Sequence, residues 1–158
     1  VNQYTYTEVI EAPFVVELHS LFGMSPYYTA TYQAKTLTRL LTIDKEYVFN
    51  ILNKYEVFQL NCLNILCNQT QIANKKIWDT RVGTLEEKIS DFLLLRSQKA
   101  KGEKTLQITM GILAKLIGET RIRVSNLLNE LQEKNLLSLK RKEIYIPDLE
   151  KLLIELQQ

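Results

Sequence analysis

The sequence ITMGILAKLIGETRIRVSNL, residues 108–127, decides the fold, because it spaces small and apolar residues as two short helices joined by a tight turn require. Ala114 is small at a point where two helices must approach closely. Gly118 follows four residues later, in a turn where only glycine adopts a positive φ at little cost. Val124 and Leu127 lie one helical turn apart, on the buried face of a second helix. The pattern predicts a helix-turn-helix.

Residues around this motif predict a winged helix. Thr109 and Thr120 are placed to cap the two helices, and the second helix extends to about Lys134. Alternating residues at 136–139 and 143–146 predict a β-hairpin, whose tip carries three cations.

The second helix of the motif leaves a short polar face exposed, with one arginine at its N-terminal end. Such a face suits insertion into a DNA major groove. We therefore predict that this helix, about Thr120–Lys134, reads DNA bases. The residues predicted on its outer face are Arg121, Ile122, Ser125, Asn126 and Asn129.

A long helix is predicted before this domain, since residues 55–78 contain neither proline nor glycine. Five of them follow alternating steps of three and four, the seam of a two-stranded coiled coil. A helix packed only within its own domain would explain one apolar face, but the broader stripe found here favours a partner helix and a parallel homodimer. The predicted dimer residues are Phe58, Cys62, Leu63, Ile65, Leu66, Gln69, Thr70, Ile72, Ala73 and Ile77.

A glycine separates this helix from the C-terminal domain. Gly83 is expected to act as a hinge, and the capping box formed by Thr84 and Glu87 starts the next helix. Rotation about Gly83 would set whether both DNA-reading helices of a dimer fit their sites.

Residues 1–43 are rich in β-branched and aromatic residues and predict four or five strands, among them 4–10, 15–18, 29–32 and 37–43. That number is too small for a closed barrel or a complete sandwich, so we expect an incomplete domain. The predicted class is α+β: a partial, jelly-roll-like β-roll, a long dimerisation helix and a C-terminal winged helix-turn-helix. The expected domains are 1–54, 55–82 and 83–158.

Composition narrows the function classes. The 158 residues, 46% hydrophobic, suffice for one or two domain cores, and the net charge is only +2. The charge is unevenly distributed: residues 96–158 hold 12 Lys and Arg against 8 Asp and Glu, while residues 1–95 hold 8 against 10. A basic C-terminal part favours a phosphate-bearing partner.

The sequence contains few residues that could catalyse a reaction or bind a cofactor. Cys62 and Cys67 are five positions apart on a predicted helix and lie on different sides of it, so we expect unbridged, buried thiols in a reducing cytoplasm. Two thiols cannot hold an iron–sulfur cluster, and the single His19 is not expected to bind haem. No metal-ligand cluster, nucleophile motif or phosphate loop is present, and no apolar run is long enough to span a membrane. We expect a non-enzymatic protein without cofactor or metal.

The C-terminal part resembles the winged-helix domain of the Crp/Fnr family of bacterial transcription regulators. The resemblance is carried by Leu113-Ala114, Ile117-Gly118, Thr120-Arg121, Val124-Ser125 and Leu127-Leu128. Residues 1–52 resemble the later part of that family's effector-binding β-roll, through Glu11-Ala12-Pro13, Leu21-Phe22-Gly23 and Tyr28-Thr29-Ala30. Residues 55–79 fall where the family keeps its dimerisation helix.

This resemblance implies roles for individual residues. Arg121 matches the position that commonly reaches guanine, and Asn126 stands where arginine is frequent, so an amide there would prefer adenine. Implied partners are double-stranded DNA with a near-palindromic operator, a second copy of the chain and RNA polymerase, with the effector unknown. The residues expected to contact phosphates are Thr109, Lys115, Thr120, Arg123, Lys140, Arg141 and Lys142.

Departures from the family pattern indicate that this chain does not bind cyclic AMP. Family members that bind cyclic AMP carry a glycine–glutamate pair and an arginine–serine pair. In this sequence Val16-Glu17 replaces the first pair, and Tyr28-Thr29 lies near the position of the second. No Lys or Arg occurs among residues 1–34, and a buried phosphate without a cation is costly. A protein-binding winged helix is the alternative function; it calls for an apolar recognition face, where only Ile122 is apolar.

Overall fold

The computed structural model describes residues 4–25, 27–78 and 83–157 of the protein, without the side chains of residues 75–78. These residues divide into two units. The first comprises the described residues up to Ala12 together with those from Lys76 onward, and the second is Pro13–Lys75.

The sheet of the first unit has four antiparallel strands in the order β1-β2-β4-β3. Strand β1 is Thr5–Glu8, β2 is Lys104–Gln107, β3 is Ser138–Lys140 and β4 is Glu143–Ile146. The hairpin β3–β4 pairs locally, whereas β1 joins β2 across most of the chain, with Thr5 opposite Gln107 and Glu8 opposite Lys104.

Four helices of the first unit pack around one apolar core. They are α3 (Leu85–Leu94), α4 (Met110–Ile117), α5 (Arg121–Glu133) and α6 (Leu149–Leu156). Each presents buried residues at helical spacing, for example Leu149, Leu152 and Leu156 in α6. Fully buried core side chains from helix and sheet include Leu106, Val124, Ile146 and Leu152.

The described residues of the second unit form two short 3-10 turns and two α-helices, and the second of these helices extends to Trp78. Helix α1 spans Lys45–Asn50 and is capped by Asp44, whose carboxylate accepts from the amide of Glu46. Helix α2 spans Glu56–Trp78, close to the predicted range. The described residues of Pro13–Lys75 form no strand.

A buried carboxylate organises the loop of this second unit. Glu17 is 4% exposed and has a left-handed backbone, with φ 39°. Its carboxylate accepts hydrogen bonds from the backbone amides of Thr29 (2.9 Å) and Ala30 (3.0 Å) and from the hydroxyls of Thr29, Tyr32 and Ser20. Burial raises the pKa of Glu17, but the hydrogen bonds from Thr29, Tyr32 and Ser20 outweigh it and lower the pKa to about 2.

Of the strands predicted in residues 1–43, the first forms as β1, whereas the later ones require correction. Residues 15–18, 29–32 and 37–43 lie outside any strand, and Leu37, Leu40 and Leu41 are at least 83% exposed. An extended segment is stable only when neighbouring strands satisfy its backbone, and these segments find no such neighbour in the described chain. Strand β1 pairs with β2 and completes the sheet of the first unit.

Both the predicted mixture of helix and sheet and the predicted C-terminal elements are confirmed. The main shift is in the hairpin: strand β3 is Ser138–Lys140 rather than residues 136–139. The expectation of two buried thiols is wrong for Cys67, which is exposed, while Cys62 is half-buried. The 140° between the two positions on α2 turns one of them outward.

Candidate nucleic-acid interface

The turn between α4 and α5 has the predicted geometry. Gly118 adopts φ 71° and ψ 36°, and its amide donates to the carbonyl of Ala114, which also accepts from Glu119 at 2.9 Å. Ala114 is 3% exposed, as its place between helices requires. A side chain at Gly118 would be strained in this left-handed conformation, so glycine sets the direction of α5.

Threonine hydroxyls cap both helices. The hydroxyl of Thr109 accepts from the amide of Ile112 at 3.3 Å, and that of Thr120 accepts from the amide of Arg123 at 3.4 Å. In these bonds the hydroxyl oxygen is the acceptor, which leaves its own proton for another acceptor such as a phosphate oxygen.

Helix α5 has the two faces that the sequence predicts. Val124, Leu128 and Leu131 are at most 2% exposed and hold the helix on the core. On the other side Arg121, Ile122, Asn126 and Asn129 are exposed, and Ser125 is half-buried. All five predicted base-reading residues therefore have side chains accessible to a ligand.

The hairpin tip is held against the start of α4. Lys142 has a left-handed backbone, with φ 61°, and its carbonyl accepts from the amide of Ile108 at 2.9 Å. Lys140 and Glu143 form an exposed ion pair at 3.3 Å. Because Ile108 immediately precedes the α4 cap, the bond fixes the cationic tip beside the first turn of α4.

A surface cavity of about 390 Å³ lies at this junction. Its lining includes Arg121 from α5 together with Lys140 and Lys142 from the hairpin. Thr109 and Gly111 line it from the start of α4, where backbone amides of the first turn lack partners within the helix. The lining also includes Glu143, the ion-pair partner of Lys140. The cavity thus combines three cations and one carboxylate with a helix N-terminus, a positive balance that favours an anion.

Two of the other predicted phosphate contacts, Lys115 and Arg141, are exposed outside this cavity. Arg123 is exposed as well, but its guanidinium donates to Oε2 of Glu119 at 2.7 Å. The second oxygen of Glu119 accepts from the ammonium of Lys88 on α3 at 2.6 Å. The hydrogen bond from Lys88 holds the pKa of Glu119 below its ordinary value.

Sequence reasoning missed this network of Lys88, Glu119 and Arg123. Glu119 and Arg123 are four residues apart, a spacing that is typical of ion pairs on a helix and could have predicted their contact. Lys88 lies 31 positions before Glu119, and no local pattern links them.

Helix α2 carries the predicted dimer residues. Phe58, Cys62, Leu66 and Gln69 are half-buried and lie on one side of the helix. The other predicted residues, apart from Ile77, are exposed to solvent: Leu63 is 58% exposed, Ile65 38% and Ile72 44%, and Thr70 and Ala73 are exposed as well. The side chain of Ile77 lies outside the described residues.

Two helices joined at a glycine turn and followed by a cationic hairpin define a winged helix-turn-helix domain. Residues 87–153 match the family model of the Crp-like helix-turn-helix domain. They form a DNA-binding domain of the Crp/Fnr type, which indicates a transcription regulator. The chain has no match among curated proteins.

Two further findings concern the described residues only. No helix among them is long and apolar enough to cross a membrane. Nor do they contain a group of three or more His, Cys, Asp or Glu side chains placed to hold a metal ion.

Proposed function

We propose that the protein is a homodimeric, sequence-specific transcription regulator that inserts α5 into the DNA major groove and acts by binding rather than by catalysis. The observation that carries this proposal is the cavity at which Arg121 of the recognition helix meets Lys140 and Lys142 of the hairpin. Base reading and phosphate contact require such groups side by side.

Base readout falls to the exposed face of α5. The guanidinium of Arg121 has the fork geometry for O6 and N7 of guanine. Ile122, at 74% exposure, offers an apolar contact for a thymine methyl, and the amide of Asn126 suits adenine N6 and N7. Ser125 and Asn129 complete this face.

Phosphate contacts surround that face. The free hydroxyl protons of Thr109 and Thr120 and the cations Lys115, Arg123, Lys140, Arg141 and Lys142 fix the helix in the groove. They carry no base specificity, so they account for the salt-dependent part of the affinity.

Dimerisation falls to α2. Of the seam residues, Leu63, Thr70 and Ala73 face solvent and Leu66 is half-buried, as are the neighbouring Phe58 and Cys62. Exposed apolar residues at coiled-coil spacing favour a second copy of the helix. A parallel pair would present two α5 helices to half-sites of a near-palindrome, about 34 Å apart.

In this proposal the second unit, which contains the loop around Glu17, does not bind cyclic AMP. The amides of Thr29 and Ala30, which an anion would need, are already bonded to the carboxylate of Glu17. A phosphate entering there would meet a fixed negative charge and no Lys or Arg from residues 1–34. Gly83, with φ 136°, is the proposed hinge through which this unit regulates the DNA-binding domain.

A selection of bound duplexes from a random DNA pool tests the function. The full chain is used at near-physiological salt. The expected result is an enriched inverted repeat with half-sites one helical turn apart. If no sequence is enriched and binding only weakens as the salt concentration rises, the result would contradict sequence-specific reading and favour a winged helix that binds protein.

A further inference from the structure

The carboxylate of Glu119 lies between a half-buried and an exposed cation. Its side chain is 9% exposed, that of Lys88 is 15% exposed and that of Arg123 is 61% exposed. Each carboxylate oxygen takes one partner, at 2.6 Å for Lys88 and 2.7 Å for Arg123. The two halves of this network therefore differ in their access to solvent and ligand.

The Lys88 half fixes Glu119 in place. Lys88 belongs to α3, whose residues Ile89, Phe92 and Leu93 are buried in the core. Glu119 itself sits in the turn, and its amide donates to Ala114. With its backbone and one oxygen anchored to the domain, the carboxylate cannot follow Arg123 when Arg123 moves.

The Arg123 half is exchangeable. The guanidinium of Arg123 is largely exposed and its pairing is weak, so a DNA phosphate can replace Glu119 as the partner of Arg123. The exchange leaves the anchored carboxylate with one cation fewer. Glu119 thus competes with every phosphate for the same guanidinium, whatever the base sequence.

We propose that Glu119 is a positioning residue that restrains Arg123 and so limits sequence-independent binding to DNA. The inference rests on the proposal that α5 binds DNA. Lys88 acts as the anchor for Glu119, and Arg123 is the cation through which Glu119 acts.

Glu119→Gln in the full chain tests this inference. In the wild type a phosphate that binds Arg123 leaves the Glu119 carboxylate without this partner, and the carboxylate then takes up a salt cation. In the variant no carboxylate is left unpaired, so the full counterion release of the Arg123 contact is observed. We expect affinity for a duplex of unrelated sequence to rise about two- to fivefold at low salt. The plot of log affinity against log salt concentration should become steeper by about 0.9, the contribution of one phosphate contact.

Two variants make the result specific to the network. Glu133→Gln makes the same change in net charge at the other, exposed end of α5, and its salt dependence should match that of the wild type. In the double variant Glu119→Gln, Arg123→Gln, the gain in affinity and in slope should vanish, because Arg123 is the cation released.

A purely structural role for Glu119 predicts a different pattern. Affinity would then fall with thermal stability, the slope would not change, and the inference would be overturned. An equal increase in slope for Glu133→Gln would overturn it too. Since the readout uses unrelated DNA, loss of sequence preference in the wild type contradicts only the proposed function, whereas absence of all DNA binding contradicts both.

Discussion

The Oε2 atom of Glu8 lies 3.0 Å from Nζ of Lys104, an ammonium group whose side chain has no exposure to solvent. This pair closes the ladder in which Glu8 of β1 lies opposite Lys104 of β2. Around it the hydroxyl of Tyr6 is 2.5 Å from that of Ser97, and the hydroxyl of Tyr4 accepts from Arg96 at 2.7 Å. The N-terminal strand is therefore bonded into the DNA-binding domain through side chains as well as backbone.

Glu8→Gln should destabilise the first unit. The substitution leaves the buried ammonium of Lys104 without a charged partner, and its remaining acceptor here is the carbonyl of Lys101 at 3.1 Å. Breaking a buried pair in this way costs about 3 kcal/mol. Native-state hydrogen exchange at the β2 amides measures the loss.

The exposed pair Lys140–Glu143 provides the control for this experiment. Glu143→Gln should change the unfolding free energy by less than about 1 kcal/mol. A second variant, Glu8→Gln with Lys104→Met, should regain part of the loss, because no charge is then buried. Equal effects for Glu8→Gln and Glu143→Gln would contradict the role of β1.

The pH dependence of the second unit should depend on Glu17. The pKa of this carboxyl is about 2 in the folded protein, below its usual value of 4.5. Its stabilising contribution is therefore complete above about pH 4.5 and is lost as the pH falls towards 2. Urea unfolding of the full chain between pH 6 and pH 2 should show a steeper loss of stability for the wild type than for Glu17→Gln; parallel curves would contradict the assignment.

Local signals explain which parts of the fold could be predicted. Caps and turns act within a few residues, so Thr109, Gly118 and Thr120 define α4 and α5 from sequence alone. The pairing of β1 with β2 joins residues about 100 positions apart, and the alternation of β1 is compatible with any sheet. The hydrogen-bond network of Glu17 could not be predicted, because two of its donors are backbone amides and backbone amides carry no sequence signature.

Arg121 and Lys142 should differ in how they affect DNA binding. Arg121→Ala is expected to cost about 1–3 kcal/mol of binding free energy and to relax discrimination at one base pair. Lys142→Asn should weaken binding to all duplexes alike and lower the salt slope by about 0.9. Asparagine is chosen because it tolerates the left-handed φ of 61° at this position. Uniform losses for both variants on every sequence would contradict base reading by Arg121.

Substitutions at Gly111 should change the DNA affinity without lowering the thermal stability of the protein. It is the second residue of α4 and lines the cavity that contains Arg121, Lys140 and Lys142. A Cβ at this position would meet no atom within 4 Å, so a side chain can be added without disturbing the core. A carboxylate there would favour the helix N-terminus but repel a phosphate.

Gly111→Glu should therefore leave the thermal stability unchanged or slightly higher, while it lowers DNA affinity by about tenfold or more. Gly111→Gln has the same length without the charge and separates steric from electrostatic exclusion, and Gly111→Ala should retain wild-type affinity. Thermal melts and DNA titrations at one salt concentration measure both quantities. Wild-type affinity for Gly111→Glu would mean that DNA does not approach this cavity, because a fixed negative charge beside a bound phosphate must weaken the complex.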